Sequence, residues 1–135
     1  MKVKGFDDRE YSLTLEIGKS KGSTYHRKAR ILLKELYKME YIYEEVRLYG
    51  SKTGTNKDLY ADFFIPSQRQ IIEVHGPQHF KYNTFHFKNK MEFFRAQARD
   101  RIKQEWCELN NIKLVVLNYN ETLEEWTLKC QKQQN

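Results

Sequence analysis

The stretch LYADFFIPSQRQIIEVHG, Leu59 to Gly76, holds two runs of aromatic and β-branched residues separated by PSQRQ. Such runs suit pleated, half-buried strands, and Pro66 with its polar neighbours breaks them at a turn. The stretch therefore predicts a hairpin, with Asp62 in its first strand and Glu73 in its second. Across a tight turn both carboxylates can reach the same end of a sheet. Both are flanked by apolar residues, and burying a carboxylate costs about several kcal/mol unless it is paired or bound to a cation. Two together repel, which a divalent cation would reverse, and hard oxygen ligands suit Mg²⁺ or Mn²⁺. Such an ion would polarise a phosphate oxygen and lower the pKa of a bound water. His75 follows Glu73 on the same strand face and can ligate a metal, accept a proton or donate one. Gly76 ends the strand and permits close approach of a phosphate backbone. One strand-end acid or histidine alone reads as a solvated polar residue. Two acids, a histidine and a glycine in this strand order read as chemistry.

Upstream, YIYEEVRLYG (residues 41–50) is a third strand candidate, joined to the hairpin by the turn SKTGTNKD. Before it, a helix is expected from about Thr24 to Met39, with Ala29, Leu32, Leu33 and Leu36 on one face and lysine and arginine on the other. Ser23 or Thr24 would cap it. Residues 1–22 read as a separate polar segment with one short strand, YSLTLEI, and a flexible basic loop, GKSKGS. Downstream, PQHFKYNTFHFKN has no period and reads as a long loop. A second helix is expected from Met91 to Asn110, its apolar stripe Phe94, Ala98, Ile102, Trp106 and Leu109, with Asp100 turned away. IKLVVLNY reads as a strand covered on both faces, and TLEEWTLKCQK as a short closing helix. Helix, three strands, helix, strand, helix gives an α/β fold over residues 23–135, a mixed sheet with helices on both faces.

The chain has 135 residues, 39% of them hydrophobic and 14% aromatic, enough for one domain with a real core. No apolar run approaches the ~18–20 residues of a bilayer span, and no secretory leader opens the chain. Cys107 and Cys130 form no CxxC pair and read as free thiols in a reducing, cytoplasmic setting. The net charge of +6 favours a polyanionic partner, above all nucleic acid. Lys19, Lys21, Arg27, Lys28, Arg30, Lys34, Lys52, Lys57, Lys81 and Lys88 are the candidate phosphate contacts. They would give salt-dependent affinity with little sequence readout.

With ADFFIPSQRQIIEVHGPQHF followed by RDRIKQEWCELNNIKLVVLNY, the chain resembles the PD-(D/E)XK nuclease superfamily over Leu59 to Tyr119. AD and EVH stand where that superfamily has its two acidic elements. The closer likeness is to small phage, bacterial and giant-virus proteins of this kind. VHG with a nearby histidine also resembles very-short-patch-repair and homing endonucleases. The resemblance implies a restriction-endonuclease-like αβββαβ core and a Mg²⁺- or Mn²⁺-dependent DNA endonuclease. It implies Asp62 and Glu73 as metal ligands, helped by the Val74 carbonyl. Gln78 and His79 would contact the scissile phosphate or leaving group, and Asp100 and Lys103 match a D..K pair in supporting positions. The superfamily lysine is absent from position 75, so His75, His79, Lys81 or Lys103 would take its part. GSTYHRK brings no acid into the first helix, although His26 lies nearby. A junction resolvase and an inactive DNA-binding module of the same fold are the alternative readings, and a homodimer would serve to cut both strands.

Overall fold

The computed structural model describes residues 1–16, 22–53, 57–77 and 88–132. The expected site residues Lys19, Lys21, Gln78, His79 and Lys81 lie outside the described residues. The elements are β1 (Lys2–Lys4), β2 (Glu10–Ser12), α1 (Thr24–Leu36), β3 (Tyr43–Leu48), β4 (Leu59–Ile65), β5 (Gln70–His75), α2 (Lys90–Leu109), β6 (Lys113–Asn118) and α3 (Leu123–Gln131). A short 3₁₀ turn, Pro66–Gln68, joins β4 to β5 and ends at Arg69 in the left-handed region, φ 45°.

The main sheet runs β3-β4-β5-β6. β3–β4 and β4–β5 are antiparallel, and β5–β6 is parallel. A parallel neighbour demands a crossover, which α2 supplies. The sheet is mixed and carries helices on both faces, as the element order predicts. On one face α1 and α3 bury Leu33, Phe63, Ile72, Leu117 and Trp126. On the other, Trp106 and Cys107 of α2 pack on Phe64 and Ile71. Each large side chain fully removed from water there contributes about 1.5–3 kcal/mol.

Three expectations need correcting. Residues 1–16 are more than a polar segment: β1 and β2 form an antiparallel pair, and Val3 and Leu13 sit in the same core cluster as Trp106. The expected stripe on α2 holds at Trp106 but is otherwise rotated, since Phe94 is 56% and Leu109 45% exposed while Phe93 and Cys107, outside it, are buried. The inward face runs through Phe93, Ala96, Asp100, Lys103 and Cys107, so two charged residues turn toward the sheet rather than away from it. Apolar periodicity misreads this helix because the sheet offers those charges partners. Finally, β6 is covered fully on one face only. Val115 and Leu117 are buried, while Leu114 and Val116 are half-buried beside a groove.

The strands also change face. In β3, Tyr43 packs in the α2-side core, and so do Val46 and Leu48. In β4, Phe64 and Ala61 share that side, whereas Phe63 and Ile65 pack against α1 and α3. Strict alternation would put residues an odd number apart on opposite faces. The register brackets the break between Glu44↔Phe63 and Val46↔Ala61. Glu45, at φ 51°, and Asp62 therefore stand opposite each other where both strands switch faces.

Candidate functional site

The β4–β5 ladder pairs Phe63 with Ile72 and goes no further toward Asp62 and Glu73. Side chains take over where it stops. The Asp62 N–H donates to Glu73 Oε2 at 2.7 Å, and the Val74 N–H donates to Asp62 Oδ2 at 2.8 Å. Two strands thus part around two carboxylates, each of which satisfies a backbone donor of the other strand. The hairpin reading is correct in bringing Asp62 and Glu73 together.

Each carboxylate looks toward a different helix. On Glu73, Oε1 accepts a hydrogen bond from Lys103 Nζ of α2 at 2.5 Å. On Asp62, Oδ1 lies 3.1 Å from His26 Nε2 of α1. The His26 ring is set by its neighbours in GSTYH. Ser23 caps α1, its Oγ accepting from the His26 N–H, and lies 3.2 Å from His26 Nδ1. Gly22 has φ 115°, and a Cβ there would meet the His26 Cβ at 2.4 Å. Only a residue with no side chain leaves the ring its place.

Burial and the neighbouring charge of Asp62 push the Glu73 carboxyl up to about 7, against the pull of Lys103. Burial would raise Asp62 too, but the hydrogen bonds from His26 and the Val74 N–H more than offset it and hold Asp62 below the usual range. Burial works against the charge on Lys103, and Glu73 outweighs it, so the ammonium is held above its ordinary value. The Asp62 hydrogen bond raises His26.

His75 shares the α2-side face with Glu73. Its Nε2 lies 3.8 Å from Asp100 Oδ1. With Lys103 and Gln104 these side chains line a small pocket of about 150 Å³ beside β6. The expected supporting pair, Asp100 and Lys103, therefore meets the two β5 residues named with it, one partner each. The Val74 side chain is buried in the opposite core.

His26, Glu45 and Asp62 form a group whose ligand atoms all lie within 4.8 Å of one another. Sequence reasoning passed over Glu45 because a strand residue between Glu44 and Val46 has no reason to face Asp62 until both strands switch face.

Among the expected phosphate contacts that are described, Arg27, Lys28, Lys34, Lys52, Lys57 and Lys88 are exposed. Arg30 is not an open phosphate contact: it grips Glu44 with Nε to Oε2 at 2.8 Å and Nη2 to Oε1 at 2.7 Å. Lys28 Nζ sits over the Trp126 ring, 5.4 Å from its centroid. Sequence reasoning missed Arg95 and Arg99, which with Lys57 line a cleft of about 460 Å³ between α2 and the start of β4. Both occupy the helix side that the expected stripe had assigned to packing.

The fold and site together define an α/β protein whose mixed sheet opens around one buried carboxylate, Glu73, and one partly buried one, Asp62. No protein-family model and no solved structure matches the chain. It is similar to "Uncharacterized protein 307L" of Invertebrate iridescent virus 6, 34% identical over 70 residues, and to "Uncharacterized protein 033L" of Invertebrate iridescent virus 3, 33% identical over 67 residues. The matches cover 52% and 50% of this chain but 35% and 34% of those proteins. The chain thus spans about a third of the length of these curated relatives. Among the described residues, no helix is long and apolar enough to cross a membrane.

Proposed function

We propose that the chain is a metal-dependent DNA endonuclease that hydrolyses phosphodiester bonds. The observation that carries this reading is the cluster at the strand split: Asp62 and Glu73 on parting strands, with the Lys103 ammonium 2.5 Å from Glu73. A buried carboxylate driven toward its protonated form, with a second, partly buried one beside it, makes a site that a divalent cation would relieve. The oxygen donors therefore suit a divalent cation, with Asp62 holding the ion and Glu73 beside it. When bound, the ion would polarise a phosphate oxygen and lower the pKa of a water.

The chain's own residues do the rest. Lys103 replaces the lysine missing from position 75 and keeps positive charge where the phosphate's extra negative charge develops. His75, held near Asp100, would give a proton to the leaving oxygen. Exposed Lys57, Arg95 and Arg99 in the cleft beside α2 would track the phosphate backbone, and a second copy would serve the second strand.

Supercoiled plasmid with Mg²⁺ or Mn²⁺ tests the reading. Wild type should nick or linearise it. Asp62→Asn and Lys103→Met should each slow cleavage at least ~100-fold while retaining the fold. Cleavage by Asp62→Asn at the wild-type rate overturns the assignment. Salt-sensitive DNA binding without cutting under either metal leaves only a DNA-binding module.

A further inference from the structure

We infer that the cation is held by His26, Glu45 and Asp62, and that this site takes a borderline first-row ion, from Mn²⁺ to Zn²⁺, in preference to Mg²⁺. The inference sharpens the nuclease reading by naming the donors, and rests on that reading only for what the ion is used for.

The three ligand atoms already lie within 4.8 Å of one another, and Glu73 is not among them. Glu73 is engaged elsewhere, with Oε1 on Lys103 and Oε2 on the Asp62 N–H. An ion drawn to Glu73 would sit against the Lys103 ammonium, whose like charge opposes it. His26, Glu45 and Asp62 come from three different elements, and each is placed by its own local structure. Gly22 clears space for the imidazole. Ser23 Oγ stands at hydrogen-bond distance from Nδ1 and so leaves Nε2 to face Asp62. A ring nitrogen fixed on one side by a hydrogen-bond acceptor is the usual arrangement of a metal-binding histidine. Glu45 faces Asp62 because both strands switch faces there, with a left-handed backbone at a residue other than glycine.

The chemistry of the donors sets the preference. One imidazole nitrogen with two carboxylate oxygens suits Mn²⁺, Co²⁺ or Zn²⁺, whereas Mg²⁺ favours oxygen donors and retained waters. Glu45 is exposed, and the His26 and Asp62 side chains are 22% and 20% exposed. An ion can therefore enter from solvent, and three protein donors leave positions open for water and phosphate.

The test is binding to the full chain, read by the visible absorption of Co²⁺ and the electron paramagnetic resonance of Mn²⁺. Wild type should take one ion per chain, and excess Mg²⁺ should not displace it. His26→Ala and Glu45→Gln should each weaken binding about tenfold or more, with His26→Ala also changing the Co²⁺ spectrum as a nitrogen donor is lost. Glu73→Gln should keep that spectrum and weaken binding less than either. Gly22→Ala, which leaves all three donors present, should weaken binding by moving the ring. Circular dichroism confirms that each variant is folded, and Glu45→Asn stands in if Glu45→Gln is not. Wild-type Co²⁺ binding by folded His26→Ala or Glu45 variants overturns the inference, as does loss of the ion in Glu73→Gln alone. Binding of the expected kind without plasmid cleavage sinks the nuclease reading and leaves the metal site standing. Mg²⁺-supported cleavage that ignores His26 and Glu45 does the reverse.

Discussion

Glu73→Gln should make the metal-free protein more stable at neutral pH. Glu73 is 3% exposed and its carboxyl is raised from 4.5 to about 7 by burial and by Asp62. Between those two values the folded chain holds a proton that the unfolded chain has released, so native stability falls as pH rises. The loss begins near 4.5 and is complete above about 7. At ~1.4 kcal/mol for each pH unit between them, it amounts to about 3 kcal/mol.

Glutamine resembles the protonated side chain in shape and charge, so it removes this pH-dependent loss. It also carries a fixed cost. Both carboxyl oxygens, charged or protonated, can accept, one from Lys103 and one from the Asp62 N–H, whereas an amide has one accepting oxygen for the two donors. That mismatch costs about 1 kcal/mol at every pH. The variant should therefore be ~1 kcal/mol less stable than wild type near pH 4.5 and ~2 kcal/mol more stable near pH 8. Urea unfolding in EDTA across that window measures the difference directly. A difference that does not change with pH, or that favours wild type increasingly as pH rises, refutes the electrostatic account of the site.

Burial pushes the Cys107 thiol up to about 12 and the Cys130 thiol up to about 11, so neither should react with a disulfide reagent near pH 8 until urea unfolds the chain. Rapid labelling of two thiols in the native state would contradict this packing. Arg30→Ala should cost about 2 kcal/mol, since it strands Glu44 from a partly buried bidentate pair. It should leave the salt dependence of DNA binding unchanged. A joint Arg27→Ala and Lys34→Ala variant should lower that salt slope by about two and barely move the urea midpoint.

The hairpin carrying Asp62 and Glu73 was legible because it is local. Runs of aromatic and β-branched residues around PSQRQ specify two strands and their turn, and the turn sets which residues come together. The element order likewise specified a parallel β6 reached through α2. What escaped were features that depend on elements far apart in the chain. Val3 and Leu13 look peripheral in a charged segment and are core residues only because the β1–β2 pair lies against Trp106. Lys103 looks like part of a solvated face until Glu73 is brought opposite it. His26 and Glu45 could not be joined to Asp62 by any spacing rule, since α1 and β3 supply them separately. A partial clue was present in Gly22 and Ser23, which pin an imidazole rather than simply begin a helix.

The lysine beside Glu73 shows why strand spacing alone underdetermines this site. Position 75 continues the Glu73 face of β5, and a lysine there would have to turn its flexible stem back toward the carboxylate. α2 crosses that same face, and Lys103 reaches Glu73 Oε1 from it. Electrostatics fixes where an ammonium must lie relative to the carboxylates and is indifferent to which backbone delivers it. The histidine at 75 stands near Asp100 instead, its Nε2 3.8 Å from Asp100 Oδ1. The positive charge beside Glu73 thus comes from the helix, while the strand position two residues on is taken by His75, which meets Asp100.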